Sequence, residues 1–241
     1  MPSAPSHSYV LGNATTLLAL TPEERKRLDQ EEQVFTLNFF PQHWRMIGFR
    51  PTVWVIGDAF NPEGRGIFQS LIKSILRDRK LQERLRHIFI SSEMHDDAHG
   101  VVEQMVEEAK LQLPAITFHF YDRGDWEDTT QHAARSLGER ILHLGSTTTD
   151  VVNLAALMNP GGQVRLAGCT YLDQDGYFYA TAPVLPANLA LNQHSRRLQW
   201  EGFTQLRRDG IDLVDCGPPH AVPLPPELAL PREPLFGHAH T

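Results

Sequence analysis

The sequence predicts an α/β protein: a single Rossmann-like, doubly wound domain with a mostly parallel sheet, followed by a proline-rich C-terminal tail. The chain has 241 residues, of which 41% are apolar and 21% charged, as is typical of one globular α/β domain. Short apolar runs alternate with amphipathic stretches, a pattern typical of strands joined by helical crossovers. From 217 onward seven prolines exclude a long helix or a central strand. We therefore assign 1–216 to the domain and 217–241 to the tail.

Eight apolar runs predict the strands, because β-branched and aromatic residues favour a buried or half-buried sheet. In chain order they span 8–11, 33–37, 51–56, 87–91, 116–121, 163–167, 178–181 and 211–216. Six amphipathic stretches predict the helices, at 22–33, 66–84, 99–111, 130–142, 148–158 and 195–208. The first helix has a sequence signature for its start, since Thr21 and Glu24 flank Pro22 as a capping box requires.

Composition and charge exclude several classes of protein. Lys and Arg number 22 against 29 Asp and Glu, a net charge of −7 at pH 7, so we expect no nucleic-acid partner. Apolar runs such as 53–56 fall far short of the roughly 20 residues of a membrane span, and the N-terminus lacks the features of a signal peptide. Two cysteines are too few for a disulfide framework. We expect a cytoplasmic protein without a transmembrane segment, and homo-oligomerisation stays open.

Candidate ligand-binding residues follow the predicted strands, because doubly wound sheets bind ligands beyond the carboxyl ends of their strands. Gly12 and Asn13 follow the first strand, and a small turn there allows close approach of the backbone to a ligand. Asn38 follows the second strand and Asp58 the third. An ordinary turn uses the same residue types. Neither a dinucleotide fingerprint nor a P-loop is present.

Hydroxyl side chains precede the helix predicted at 148–158. Ser146 and Thr147 belong to a GSTTTD run, which predicts a helix cap. A helix N-terminus also attracts anions through its free amides and its dipole, so contact with a ligand is compatible with capping.

The segment that follows the strand at 163–167 contains several polar and aromatic candidates. Thr170 is the first hydroxyl residue of this segment, and an Asp-Gly pair at 175–176 predicts a hairpin turn. Asp173 and Asp175 also form an Asp-x-Asp pattern, which metal-dependent glycosyltransferases use, but we favour the turn. Three phenols could bind a phosphate or pack in the core, namely Tyr171, Tyr177 and Tyr179.

Among twelve histidines, His194 is the candidate general base. It precedes the helix predicted at 195–208, at the mouth of the expected crevice, and imidazole is the usual base near neutral pH. A surface histidine is the alternative. His95 and His99 have i, i+4 spacing, but without a His-Glu-x-x-His motif we expect a solvated loop and no metal site there.

In their order along the chain, these segments resemble the bacterial lipooligosaccharide sialyltransferases. The resemblance covers about 9–219 and rests on the following motifs: GNATT at 12–16, NFF at 38–40, IGFRP at 47–51, GST at 145–147, GCTYLDQDGYFYAT at 168–181, HS at 194–195 and IDLVDCG at 211–217. It implies a Rossmann-like, inverting glycosyltransferase that uses CMP-sialic acid or a similar nucleotide sugar, a glycan acceptor, and neither metal nor other cofactor.

The resemblance also implies roles for individual residues. His194 would deprotonate the acceptor hydroxyl, and Tyr179 would donate a hydrogen bond to the departing phosphate. The donor site would comprise Gly12, Asn13, Asn38, Asp58, Ser146, Thr147, Thr170 and Tyr171. Such a reaction needs hydrogen bonds to the leaving phosphate and one base on the opposite face of the sugar.

Two other functions stay open. The N-terminal half is also similar to archaeal pterin pyrophosphokinases, which implies a Mg²⁺-dependent phosphotransferase using Asp58, Asp173 and Asp175. The second alternative is a non-catalytic nucleotide- or glycan-binding protein of a surface-polysaccharide pathway.

Overall fold

The strands form one parallel sheet. The computed structural model of the chain describes residues 7–57, 62–92, 96–171, 186–220 and 222–236, without the side chains of 62–68, 71, 96–99, 101 and 186–192. Its seven strands are β1 (His7–Leu11), β2 (Val34–Leu37), β3 (Val53–Ile56), β4 (His87–Ser91), β5 (Thr117–Tyr121), β6 (Gln163–Ala167) and β7 (Leu213–Asp215). They pair in the order β5-β4-β3-β2-β1-β6-β7, and every pair is parallel. The predicted α/β class is confirmed.

Helices cover both faces of the sheet. They are α1 (Pro22–Leu28), α2 (Phe40–Ile47), α3 (Pro62–Arg77), α4 (Arg79–Arg84), α5 (Asp96–Gln112), α6 (Thr147–Met158) and α7 (Pro186–Arg208), with short 3₁₀ turns at Thr15–Ala19 and Pro226–Leu228. Successive residues of β3 show the two layers. Val53 and Val55 pack in the cluster shared with α6 and α7, whereas Trp54 and Ile56 pack with α3, α4 and α5. This two-sided cover makes the sheet doubly wound. No helix within the described residues is long and apolar enough to span a membrane.

Local sequence explains where several helices begin and end. At α1 the capping box forms as predicted: the Glu24 amide donates to Thr21 Oγ1 (3.2 Å), and the Thr21 amide donates to Glu24 Oε2 (2.8 Å). The helix predicted at 66–84 is two helices, because the Asp78 side chain accepts from the Leu81 amide (3.2 Å) and caps α4. The unpredicted α2 ends at Gly48, whose φ of 93° suits glycine.

The prediction of a helix over 130–142 is wrong. Side chains from elsewhere satisfy the backbone of this segment instead of a helical ladder. Asn153 of α6 accepts from the amides of Ala134 (2.9 Å) and Leu142 (3.1 Å) and donates to the Ala134 carbonyl (3.1 Å). The amphipathic pattern therefore arises from packing against α6 and not from helical periodicity.

The tail, over its described residues, lies along β7 and continues toward β1. The Asp215 amide donates to the Pro231 carbonyl (2.9 Å), and the Glu233 amide donates back to the Asp215 carbonyl (3.1 Å). The Arg165 guanidinium reaches Glu233 at 2.8 Å, and Phe236 packs on Tyr9 with ring centroids 5.3 Å apart. The predicted strand at 178–181 and the turn at 175–176 lie outside the described residues.

Candidate functional site

The topological switch point lies between β1 and β6. The first five strands extend from β1 to one edge of the sheet, and β6 and β7 extend it on the other side. Crevices form beyond the carboxyl ends of the two strands at such a point, because their following loops diverge to opposite sides. The candidate site is therefore built from the residues after Leu11 and Ala167.

At the switch point the two loops touch backbone to backbone. The Gly12 amide donates to the Ala167 carbonyl (2.8 Å), and the Ala14 amide donates to the Gly168 carbonyl (3.0 Å). A Cβ on Gly12 would lie 2.3 Å from the Gly168 carbonyl oxygen, so only glycine fits. Gly168 itself has a φ of 70°. Neither glycine therefore has room for a side chain at this contact.

Asn13 supplies a polar group beside this contact. The residue is 7% exposed, and its Oδ1 is buried without a hydrogen-bond partner in the described part of the chain. Buried amide oxygens are usually paired, and an unpaired one costs about 1–3 kcal/mol. A ligand that donates a hydrogen bond to Oδ1 would remove that cost.

Thr170 and Tyr171 are anchored to α7 through their main chain. The Trp200 indole donates to the Thr170 carbonyl (3.3 Å), and an Arg196 guanidinium nitrogen donates to the Tyr171 carbonyl (3.2 Å). The Tyr171 side chain is 4% exposed and belongs to the central apolar cluster, so it packs in the core. These residues shape the crevice wall by fixing its backbone.

Cys169 lies in the same loop but is not a candidate nucleophile. Complete burial raises the pKa of its thiol well above the usual range. Because the thiolate is the reactive form, this thiol is chemically inert at neutral pH.

Asn38 connects the ends of β2 and β3. It has a φ of 45°, a left-handed conformation that asparagine tolerates. Its Oδ1 accepts from the Gly57 amide (3.0 Å), and its carbonyl accepts from the Trp54 indole (2.7 Å). The side chain therefore holds the backbone of Gly57 at the end of β3. Asp58, the next residue, lies outside the described residues, as does Tyr179.

Ser146 and Thr147 stand at the start of α6, as the cap prediction requires. Ser146 Oγ accepts from the Thr148 amide (3.2 Å) and donates to Gln199 Oε1 of α7 (2.6 Å). Thr147 lies against the end of β3, where a Cβ on Gly57 would be 2.2 Å from Thr147 Oγ1. The N-terminus of this 12-residue helix therefore lies next to the carboxyl end of β3.

His194 lies inside α7 rather than before a helix, because α7 begins at Pro186 and not at the predicted residue 195. Its side chain is 52% exposed, and its Nε2 is 3.4 Å from Glu127 Oε1. The Trp126 ring meets the imidazole edge to face, with centroids 6.0 Å apart. A carboxylate and an aromatic ring thus orient the imidazole, as a general base requires.

α7 brings His194 close to the start of α6. A Cβ on Gly145 would lie 2.2 Å from the carbonyl oxygen of Ser195, the residue that follows His194. Gln199, one turn later, accepts the Ser146 hydrogen bond described above. The imidazole is therefore carried on the helix that packs directly against the turn of Ser146 and Thr147, the donor-site candidates at the start of α6.

A buried charge network beneath this turn was not found by sequence analysis. Asp150 is fully buried and accepts from the Tyr121 hydroxyl (2.9 Å), with His143 Nδ1 at 2.5 Å and an Arg123 guanidinium nitrogen at 4.0 Å. The signal was available, because Asp150 is the one charged residue in the otherwise uncharged helix α6. Its partners could not be inferred, since Tyr121 and Arg123 come from the end of β5 and His143 from the segment before α6.

A cavity of about 350 Å³ lies at the opposite end of the sheet. It is lined by residues that precede β6 and β7, including Asn159, Gly162 and Asp212, together with His132 and Asp209. Because parallel sheets bind ligands at the carboxyl ends of their strands, we assign the candidate site to the switch point and not to this cavity. No cluster of three or more His, Cys, Asp or Glu side chains suited to a metal occurs in the described part of the chain.

No protein-family model matches the chain, and no curated protein matches it at a significant level. The case for a function therefore depends on the site residues themselves.

Proposed function

We propose that the protein is an inverting, sialyltransferase-like glycosyltransferase that moves a sugar from a CMP-linked donor to a hydroxyl of a glycan acceptor without a metal. The observation that carries the proposal is the packing of the His194–Ser195 turn of α7 against Gly145. It joins the helix that carries the proposed base to the turn that carries Ser146 and Thr147. The CMP-linked donor is proposed from the motifs of the sequence and their order along the chain.

The donor site of the proposal uses three properties of the crevice. Gly12 allows the loops after β1 and β6 to pack backbone to backbone, and the unpaired Oδ1 of Asn13 accepts from an amino or hydroxyl group of the nucleotide. The start of α6, beside Ser146, favours the donor phosphate, because the helix dipole places partial positive charge there. Together these groups would bind a nucleotide monophosphate ester.

In the proposed reaction His194 accepts the proton of the acceptor hydroxyl. The acceptor oxygen then forms a bond to the anomeric carbon while the bond from that carbon to the phosphate oxygen of CMP breaks. The released electron pair goes to CMP, which leaves as an anion stabilised by hydrogen bonds, with Tyr179 the proposed donor. Attack from the face opposite the leaving group inverts the anomeric centre. Glu127 orients the imidazole and stabilises the imidazolium.

The decisive experiment measures CMP release from CMP-sialic acid by the full chain, with and without EDTA. We expect EDTA-resistant release, reduced about 10²- to 10⁴-fold in His194→Ala, the range attributable to a general base. Glu127→Gln is expected to give a smaller loss in kcat with little change in KM, because Glu127 acts through His194. His132→Gln is the matched control, since His132 is also exposed and paired with a carboxylate, Asp209, at 3.0 Å.

Three other outcomes would contradict the proposal. Turnover abolished by EDTA would favour the Mg²⁺-dependent phosphotransferase. Saturable CMP binding without turnover, tested across several CMP-sugars and acceptors, would indicate a binding protein. Full turnover in His194→Ala would remove His194 from the mechanism.

A further inference from the structure

Two histidines face each other on the strands farthest from the switch point. His87 is the first residue of β4 and His119 the third residue of β5. In the parallel register His87 pairs with Thr117, and Phe89 pairs with His119, so the two imidazoles lie diagonally on one face of the sheet. His87 Nδ1 and His119 Nε2 are 3.2 Å apart.

The neighbouring side chains hold this pair in place and leave it accessible. The His119 ring stacks on Phe89, with centroids 4.5 Å apart and an interplanar angle of 15°. Both imidazoles are half-buried, whereas Thr117, beside them, is exposed. The ring nitrogens are thus fixed by the sheet and by stacking at a site that solvent reaches from one side.

The separation of the two nitrogens matches that of two ligands on one metal ion. Imidazole nitrogens bind Zn²⁺ at about 2.0–2.1 Å, so two of them at a tetrahedral angle are about 3.3 Å apart. The same distance allows a hydrogen bond between the neutral rings, in which one of these nitrogens donates and the other accepts. A metal ion needs a lone pair on both nitrogens, and the donating ring provides it when its proton moves to its other nitrogen. Burial lowers the pKa of both imidazoles, which favours the neutral form that metals bind.

We propose that His87 and His119 form a two-imidazole binding site for a divalent transition-metal ion of the Zn²⁺, Ni²⁺ and Cu²⁺ class, with water completing the coordination. Imidazole suits these metals better than Mg²⁺ or Ca²⁺, which prefer oxygen ligands. The site is distinct from the proposed catalytic crevice, because it involves β4 and β5 and not the β1–β6 switch point. A test of this metal site is therefore independent of the proposed function.

Two features limit the affinity of the His87–His119 site for a metal ion. No third His, Cys, Asp or Glu joins the pair in the described part of the chain, so water must supply the remaining ligands. Arg86 adds positive charge beside His87, although its guanidinium donates to the Leu85 carbonyl (3.1 Å). We expect an exchangeable metal and not a permanently bound structural zinc.

The test is a calorimetric titration of NiCl₂ into the full-length protein carrying no affinity tag. Wild type is expected to show one strongest site per chain. His87→Gln and His119→Gln should each weaken that site by about tenfold or more, because each removes one of its two protein ligands. His132→Gln is the control, since it removes an exposed histidine elsewhere. Equal affinity and stoichiometry in wild type, His87→Gln and His119→Gln would overturn the proposal.

A second measurement on the wild-type protein covers the case in which the variants fail to fold. Substoichiometric Cu²⁺ should broaden the imidazole ¹⁵N signals of His87 and His119, and the ring signals of Phe89, before those of His132. Broadening of His132 first, or of all histidines equally, would contradict the proposal.

Discussion

Gly12 and Gly168 meet backbone to backbone where β1 and β6 end, and a Cβ on Gly12 would lie 2.3 Å from the Gly168 carbonyl oxygen. The contact joins the two loops that diverge at the switch point. It explains why glycine is required after β1 even though the sequence contains no dinucleotide fingerprint. The proposed nucleotide would lie over these two glycines. A change in their contact would then affect both the stability of the protein and the binding of the nucleotide.

Gly12→Ala is expected to destabilise the protein by about 1–3 kcal/mol, the usual cost of forcing a methyl group into a closed space. Urea denaturation measures the change. Gly100→Ala is the matched control, because Gly100 lies in α5 and a Cβ there would meet nothing within 4 Å. Replacing a helical glycine with alanine should stabilise the protein by about 0.5–1 kcal/mol. Opposite signs for the two variants are expected, and equal effects would contradict the close contact.

The sequence predicted the sheet better than the helices, for a physical reason. A buried parallel strand is recognisable from a short apolar run, and the predicted strands at 8–11, 87–91 and 163–167 match β1, β4 and β6 within one residue. The predicted helix at 130–142 does not form, because Asn153 of α6 accepts hydrogen bonds from the backbone amides of this segment. Tertiary hydrogen bonds of this kind leave no local signal.

The site shows the same division. Post-strand residues such as Gly12 and Asn38 were found from strand order alone, because carboxyl ends of parallel strands meet at one edge. The pairing of Glu127 with His194 was not predicted, because the two residues are 67 positions apart in the sequence. The turns proposed to form the site could therefore be predicted from the sequence, but the side chains beside its proposed base could not.

The Asp150 network supports the turn that carries Ser146. Asp150→Ala would leave Arg123 and His143 facing a buried space without their carboxylate, and we expect a loss of about 3–5 kcal/mol in the free energy of unfolding. Tyr121→Phe removes one hydrogen bond to a charged group and should cost about 1.5–3 kcal/mol. Chemical denaturation of both variants, and of their double mutant, measures these values.

Asp128→Ala is the control for this series. The Asp128 carboxylate is exposed and accepts from the amide and hydroxyl of Thr130, so its removal should leave the free energy of unfolding nearly unchanged. If Asp150→Ala cost no more than Asp128→Ala, the buried network would not contribute to stability.

The stability of the protein should fall as the pH is lowered below about 6.5, in part because of His87 and His119. Burial lowers the pKa of both imidazoles in the folded state from the ordinary value of 6.5. The unfolded chain therefore binds protons first, and the free energy of unfolding decreases as the pH falls from 6.5 toward the folded-state pKa. Above pH 6.5 this contribution is fully present.

Denaturation series between pH 7.5 and about 5, with EDTA present to exclude metal binding, test this prediction. His119→Gln should show a shallower dependence on pH than wild type, since it removes one of the depressed groups. Thr117→Ala, on the same face of β5, removes no titrating group and should keep the wild-type slope. An unchanged slope in His119→Gln would show that its imidazole is not titrating differently in the two states.

The docked tail is expected to contribute to the stability of the domain through Phe236. This ring is 8% exposed, lies 5.3 Å from Tyr9 between centroids, and has the Arg27 guanidinium 4.0 Å above it. Phe236→Ala should therefore cost about 3 kcal/mol, at the lower end of the range for buried aromatic residues, because the ring is at the edge of the core.

Thermal denaturation measures this loss, and limited proteolysis reports whether the tail detaches. Leu111→Ala is the control, because Leu111 is 86% exposed and its truncation should be nearly neutral. Faster cleavage between 217 and 236 in Phe236→Ala, with the domain otherwise resistant, is expected if Phe236 anchors the tail. A normal cleavage rate with lowered stability would mean instead that the remaining contacts hold the tail, among them Arg165 with Glu233 at 2.8 Å and the backbone hydrogen bonds of Asp215.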